Sequence, residues 1–363
     1  MLGRKQAGAL LCLALVAGMA ACSSGDSSGE DVSLQAGPEA PATSEPAPQP
    51  SAEVTPKPKK PKSGRVRLSF GGDVHFAGSS ASALGGDIGS ASKPLKKADL
   101  AIVNLETAIT DGGVPAPKEY TFRAPAKALK ALKKSGVDVV TVANNHGMDY
   151  GQEGLADTLA AGEKAELPMI GVGRDEDEAF APYQTTINGV RISVIGATDV
   201  LDNFAITTWT ATDSQPGLAS AKVPGRLAEA VRSAADESDV VVVVLHWGVE
   251  MESCPTPRQQ ELAAELTEAG AQVVVGSHAH VLEPHVEQGR TAIHYGLGNF
   301  VFYATRAESV KSGVYDVVVD KGGVVKTKWH PAQIRGGRPE LLTGSAAEAA
   351  NAEEDALAES CGV

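Results

Sequence analysis

The sequence predicts a layered α/β domain built on mixed sheets, and three observations predict it. Helical stretches alternate with short, continuously apolar segments through most of the chain, and such segments suit strands covered on both faces. Hairpin-type β-structure dominates the C-terminal part. All sixteen aromatic residues (7 Phe, 6 Tyr, 3 Trp) lie at or beyond Phe70, so the core is built after residue 69.

The elements follow in order. VRLSF (66–70) is a short apolar run closed by Gly71-Gly72, and ADLAIVNLE (98–106) is a second. APAKALKALKKSG (124–136) is helical and ends in Gly136, and VDVVTVA (137–143) follows as a strand. GQEGLADTLAAGEKA (151–165) is helical and LPMIGVG (167–173) is a strand. Asn188-Gly189 separates two β-rich halves of 183–198, a strong hairpin signal. RLAEAVRSAADE (226–237) is helical, and DVVVVVLHWG (239–248) is an apolar strand running into polar residues. Thr256-Pro257-Arg258-Gln259 reads as a capping box with proline at the first helical position, opening a helix to Gly270. AQVVVGSHAH (271–280) is another buried strand, and TAIHYGLGNFVF with GVYDVVVD-KGG-VVKTKW closes the domain with β-structure.

The amino terminus reads as an address. Arg4 and Lys5 precede an apolar run, Ala7–Ala21, and Met19-Ala20-Ala21-Cys22 resembles a bacterial lipobox. Cleavage there leaves Cys22 first and its thiol lipidated, which predicts an exported protein anchored at the extracytoplasmic face of the cell membrane. Ordinary cleavage with an unmodified Cys22 is the alternative. Residues 23–63 hold eight of the 21 prolines and no aromatic. They cannot bury enough apolar surface to offset their ordering entropy, and they read as a disordered tether. The predicted organisation is 1–22 signal peptide, 23–63 linker, 64–344 folded domain and 345–363 acidic tail. Basic residues in 56–65 could meet an anionic polymer or lipid, or form a plain solvated linker.

The net charge of −13 opposes nucleic-acid binding, which needs a basic footprint. No run reaches the ~18 apolar residues of a membrane-spanning helix. In an oxidising compartment, Cys254–Cys361 is the simplest pairing once Cys12 and Cys22 are assigned to the signal and the anchor. Two free buried thiols are the alternative.

Metal-type residues gather at strand ends. Asp73 and His75 follow the first strand, and Asn104 and Glu106 the second. Asn144-Asn145-His146, His246-Trp247 and His278-Ala279-His280 follow three others, so five of the eight histidines fall there. The loops beyond the carboxyl ends of strands are where ligand sites of α/β sheets assemble. Imidazole binds first-row divalent metals, and a pair of such metals can clamp a scissile phosphoryl or carbonyl centre. Asp73-x-His75 and His278-x-His280 each place two side chains on one face of an extended segment.

The segments GGDVHFAG, NLETAIT, ANNHGMDYG, HWGVE, GSHAHVLEP and YGLGNFVF, spanning 70–303, resemble the bacterial CapA family of capsule or poly-γ-glutamate synthesis proteins. That family sits within the calcineurin-like metallophosphoesterase superfamily. The resemblance implies a four-layer α/β/β/α sandwich and a site for two divalent ions, with Mn, Fe and Zn suited alike. By position, Asp73, His75 and His280 resemble first-metal ligands, and Asn145, His246 and His278 second-metal ligands. Glu106 stands where the superfamily bridges with Asp, and His146 resembles the residue that protonates the leaving group.

Arg123 and Asn144 are candidate substrate contacts, and Glu250 and Asn299 candidate supports of the ligands. Trp247 reads as a wall of the site, His294 as a packed strand histidine, His285 as exposed, and His330 as outside any metal site. The implied function is a metal-dependent hydrolase or transferase acting on a phosphoester or an anionic cell-surface polymer. The alternative is a non-catalytic polymer-binding protein or partner of a membrane synthase.

Overall fold

The computed structural model describes residues 64–223 and 225–363. The stretches expected as signal peptide and tether, with Cys22, lie outside the described residues. The strands of the two large sheets are, in chain order, β1 (Val66–Val74), β2 (Leu100–Leu105), β3 (Val139–Thr141), β4 (Met169–Ile170), β5 (Tyr183–Ile187), β6 (Val190–Thr198), β7 (Val240–His246), β8 (Val273–Ser277), β9 (Leu282–Gln288), β10 (Thr291–Leu297), β11 (Asn299–Val301), β12 (Lys311–Asp320), β13 (Gly323–Arg335) and β14 (Arg338–Leu341). The helices that cover or edge them are α1 (Lys127–Lys134), α2 (Gly151–Ala165), α3 (Arg226–Glu237), α4 (Pro257–Glu268), α5 (Ser345–Asp355) and α6 (Leu357–Cys361).

The first sheet runs in the order β14-β13-β12-β1-β2-β3-β4, with β11 beside the end of β1, and the second β9-β10-β8-β7-β6-β5. Strands β1 to β4 are parallel, as are β6, β7, β8 and β10. Antiparallel strands lie on the outer parts of both sheets, so the sheets are mixed as the sequence pattern predicts.

Period-two alternation decides which residue enters which core. In β7, Val240, Val242 and Val244 face the core between the sheets, while Val241, Val243 and Leu245 face the core under α3 and α4. In β2, Leu100 and Ile102 face inward, and Ala101, Val103 and Leu105 pack under α1 and α2. Three cores therefore separate four layers, α/β/β/α. The unbroken valines of 240–244 are the sequence mark of a strand covered on both sides.

Local signals set the joints. Asn188 and Gly189 have φ of 51° and 84°, the left-handed pair of a two-residue hairpin between β5 and β6. A Cβ on Gly72 would sit 1.9 Å from the Gly298 carbonyl oxygen, so only glycine lets β1 and β11 approach as they do. The capping box of α4 forms: Thr256 Oγ1 accepts from the Gln259 N–H, and Gln259 Oε1 accepts from the Thr256 N–H.

The C-terminal residues expected as an acidic tail form α5 and α6, which dock on β13 and β9. A disulfide joins Cys254 to Cys361 across 107 residues. Among the described residues, no helix is long and apolar enough to cross a membrane.

Glu283 on β9 is fully buried, and both its oxygens lie within 3.0 Å of Gln259 Nε2. Burial pushes its carboxyl up to about 8, against the lowering effect of the Gln259 bond. Between its usual 4.5 and that value, the folded state holds a proton that the unfolded state has released. Stability conferred by this group is therefore present at low pH and lost as pH rises to about 8. Glu283→Gln is expected to flatten the fall in Tm across this window and to raise Tm at its alkaline end. Thermal melts from pH 5 to pH 9 check this, and parallel curves for the two proteins refute it.

Candidate metal centre

The parallel strands of both sheets end on one side, and the polar residues that follow them meet there. Asp73, on β1, and Glu106, just past β2, are both fully buried. Asp73 Oδ1 accepts from Asn104 Nδ2 at 2.7 Å, and Oδ2 accepts from the His278 N–H at 3.2 Å. His280 Nδ1 stands 3.2 Å from Asp73 Oδ2, and its Nε2 stands 3.9 Å from Glu106 Oε1. His246 Nε2 lies 3.5 Å from the same Glu106 oxygen and 2.8 Å from Asn145 Oδ1. One donor atom each of Glu106, His278 and His280 falls within 4.8 Å of the others.

Asn104 ties this group together. Its Nδ2 donates to Asp73 and lies 3.1 Å from His246 Nδ1, while its Oδ1 accepts from Asn144 Nδ2. One amide thus links both sheets and both halves of the cluster. The turns after β8 carry strain: His278 has φ of 102° and His280 has φ of 57°. Non-glycine residues hold such angles only where surrounding contacts over-determine them. Asn299 supplies part of that hold, donating to the His280 and Ser309 carbonyls at 3.0 Å each.

Burial and two neighbouring carboxylates set the electrostatics of the cluster. Burial and the charge of Asp73 hold the Glu106 carboxyl well above the usual range. Burial opposes ionisation of Asp73, but its bonds to His280 and Asn104 leave it below the usual value. Burial and the nearby His280 push His278 down to about 3. His280 goes the other way, to about 9, because burial is outweighed by Glu106 and Asp73. Neither oxygen of Glu106 has a hydrogen-bond partner, nor has His278 Nδ1. Orphaned, buried acceptors of this kind are the donor set that a divalent cation satisfies.

His75 is fully buried, and its Nε2 has no hydrogen-bond partner. Its Nδ1 accepts from the Ala77 N–H at 2.9 Å, which leaves the proton of the neutral ring on Nε2. The ring packs among Phe302, Tyr303 and Phe122 at 3.8–4.7 Å between ring centres. His246 Nδ1 lies between Asn104 Nδ2 at 3.1 Å and Ser277 Oγ at 3.3 Å, and its Nε2 faces Glu106 and Asn145 Oδ1.

His146 sits at the edge of the cluster. Its Nδ1 lies 2.6 Å from Asp149 Oδ2, so Nε2 is the nitrogen left to face a ligand. Lys118 Nζ stands 3.1 Å from Asp149 Oδ1 and 3.3 Å from His146 Nδ1, and donates to the Asn145 carbonyl. Burial holds the His146 ring below its usual value even against the pull of Asp149. Sequence reading missed Asn104, Asp149 and Lys118 as partners. For Asp149 the signal was its place three residues after His146, within one turn.

Other expectations are corrected by position. Asn144 spends its side chain on Asn104, the Leu105 carbonyl and the His146 N–H, so it braces the loop and has no group free for substrate. The Arg123 guanidinium stacks on Tyr150 at 4.8 Å and donates to the Asp111 carbonyl, away from the cage. Glu250 is exposed and makes no side-chain hydrogen bond among the described residues; only its charge reaches Glu106 and His280. Trp247 is buried in the core under α3 and α4, donates to the Tyr295 carbonyl and does not line the site. His330 bonds Asp316, outside the cluster.

The family model for the bacterial capsule synthesis protein PGA_cap matches residues 67–304. Over 234 residues the chain is 34% identical to "Capsule biosynthesis protein CapA" of Bacillus anthracis, covering 63% of this chain and 56% of that one. It is 36% identical over 227 residues to "PGA biosynthesis protein CapA" of Bacillus subtilis (strain 168), covering 62% and 58%. It is 29% identical over 211 residues to "Probable polyglutamine synthesis accessory protein Rv0574c" of Mycobacterium tuberculosis (strain ATCC 25618 / H37Rv), covering 56% and 55%. The matched stretch spans a little over half the length of these relatives. The residues that meet at the ends of the two sheets all lie within 67–304, and the chain belongs to the PGA_cap family of bacterial capsule synthesis proteins.

Proposed function

We propose that this protein is an exported, lipid-anchored, metal-dependent hydrolase or transferase of capsule or poly-γ-glutamate metabolism. The observation that carries the reading is Glu106, fully buried, with both carboxylate oxygens unpartnered and histidines of two strand ends facing one of them. Asp73, Glu106, Asn145, His246, His278 and His280 would hold two divalent ions. Bound ions would supply Lewis acidity at a scissile phosphoryl or acyl centre.

The remaining roles belong to the chain's own side chains. Asp149 fixes the His146 ring so that Nε2 can carry a proton to a departing oxygen or nitrogen. Lys118 lends positive charge to the same edge, which favours an anionic leaving group. His75 would offer its Nε2–H as a hydrogen-bond donor among the aromatic rings. The names of the relatives, biosynthesis and accessory proteins, support the setting. They equally support a second reading, a non-catalytic partner of a polymer synthase, for which the aligned, partly buried cage would be structural.

Cys22 would anchor the domain, and the stretch 23–63 would hold it off the membrane. Cys22→Ser is expected to move the protein from the membrane fraction to the medium; retention in the membrane refutes the anchor. Glu106→Gln is expected to lower bound Mn, Fe or Zn and to abolish turnover. His146→Ala and Asp149→Asn are expected to keep metal and to slow turnover by about 10²–10⁴-fold for the direct proton donor. Elemental analysis with phosphodiesterase and γ-glutamyl hydrolase assays measures both. Metal-loaded wild type that turns over neither substrate class favours the synthase-partner reading.

A further inference from the structure

A second group of donors lies away from the cage and shares no residue with it. Strands β9 and β10 form an antiparallel hairpin in which His285 stands directly opposite His294. Directly opposed residues share one face of a sheet. Their rings lie 6.0 Å apart. Helix α5 brings Glu354 down onto them: its Oε1 is 2.7 Å from His285 Nδ1 and 3.6 Å from His294 Nε2. Asp355 follows, with an oxygen within 4.8 Å of the donors of His285 and Glu354.

His285 Nδ1 is bonded to Glu354 Oε1, but the packing leaves other atoms of the group without partners. His294 is fully buried against Tyr315 and Trp329, and neither of its ring nitrogens has a partner. Glu354 is 2% exposed, and its Oε2 has no partner either. His285 meets part of the cost of sinking this carboxylate, but only at Oε1. A cleft of about 400 Å³ opens beside Glu354, between α5 and Trp329.

We propose that His285, His294 and Glu354 form a binding site for a divalent ion of the zinc class, which fastens α5 to the hairpin. Two imidazoles and one carboxylate are a zinc donor set, and ligands about 2.0–2.1 Å from a tetrahedral ion stand roughly 3.3 Å apart. Measured from Glu354 Oε1, the histidine nitrogens at 2.7 and 3.6 Å bracket that spacing. Asp355 or a water completes the coordination. An ion that binds only the folded state stabilises it by linkage, so α5 gains a metal fastening beside the covalent one at Cys254–Cys361.

The test uses the full chain, stripped with chelator, reloaded with Zn²⁺, dialysed and counted by elemental analysis. Glu354→Gln and His294→Gln are each expected to hold one zinc per chain fewer than wild type. Glu106→Gln, altered only in the other cluster, is expected to keep this ion. Equal zinc content in wild type and Glu354→Gln overturns the site. If neither variant folds, amide exchange on wild type decides. Zn²⁺ at ten times its dissociation constant must slow exchange across Ser345–Asp355 about tenfold, and unchanged exchange there overturns the proposal.

Discussion

Two carboxylates with no exposed surface, Asp73 and Glu106, face each other across the ends of neighbouring strands. Taking an ion out of water costs several kcal/mol even after relaxation, and like charges add to that. Much of the architecture compensates this one cost. Asn104 and the His278 N–H bond Asp73, and His280 takes up positive charge between the two acids. The arrangement is stable only because the rest of each sheet holds the strand ends in register.

That register comes from ordinary packing. Three apolar layers fix β1, β2, β7 and β8 to within their pleats, and the polar ends then have no freedom to diverge. Gly72 allows β11 close to β1, which brings Asn299 to the His280 carbonyl. The left-handed angles at His278 and His280 are thereby paid for by contacts outside the cluster. Geometry useful for binding ions is thus a by-product of a well-filled sandwich rather than of local preference.

Much of this was legible in the sequence. Continuous valines marked strands covered on both faces, and metal-type residues at five strand ends marked the site. Parity also carried more than was drawn from it. His246 continues the inward face of Val240, Val242 and Val244, so Trp247 had to turn outward into the helix-covered core, where it lies. What could not be read depends on contacts between distant residues. Nothing near Lys118 announces its approach to Asp149, and one buried glutamate among the exposed acids of 348–359 looks like any other until α5 is seen on its hairpin. The Ala77 N–H that fixes the His75 tautomer is a backbone group, invisible to residue patterns.

The position of β1 has a consequence for assembly. It is the earliest strand of the described chain, yet it lies mid-sheet, flanked by β2 on one side and by β12, more than 200 residues later, on the other. During vectorial synthesis its second edge stays open until residues near 311–320 have emerged, and the covalent closure at Cys361 waits longer still. A chain folding from its amino end therefore keeps a central edge unpaired until its last strands arrive, and an open edge of that kind is a template for association.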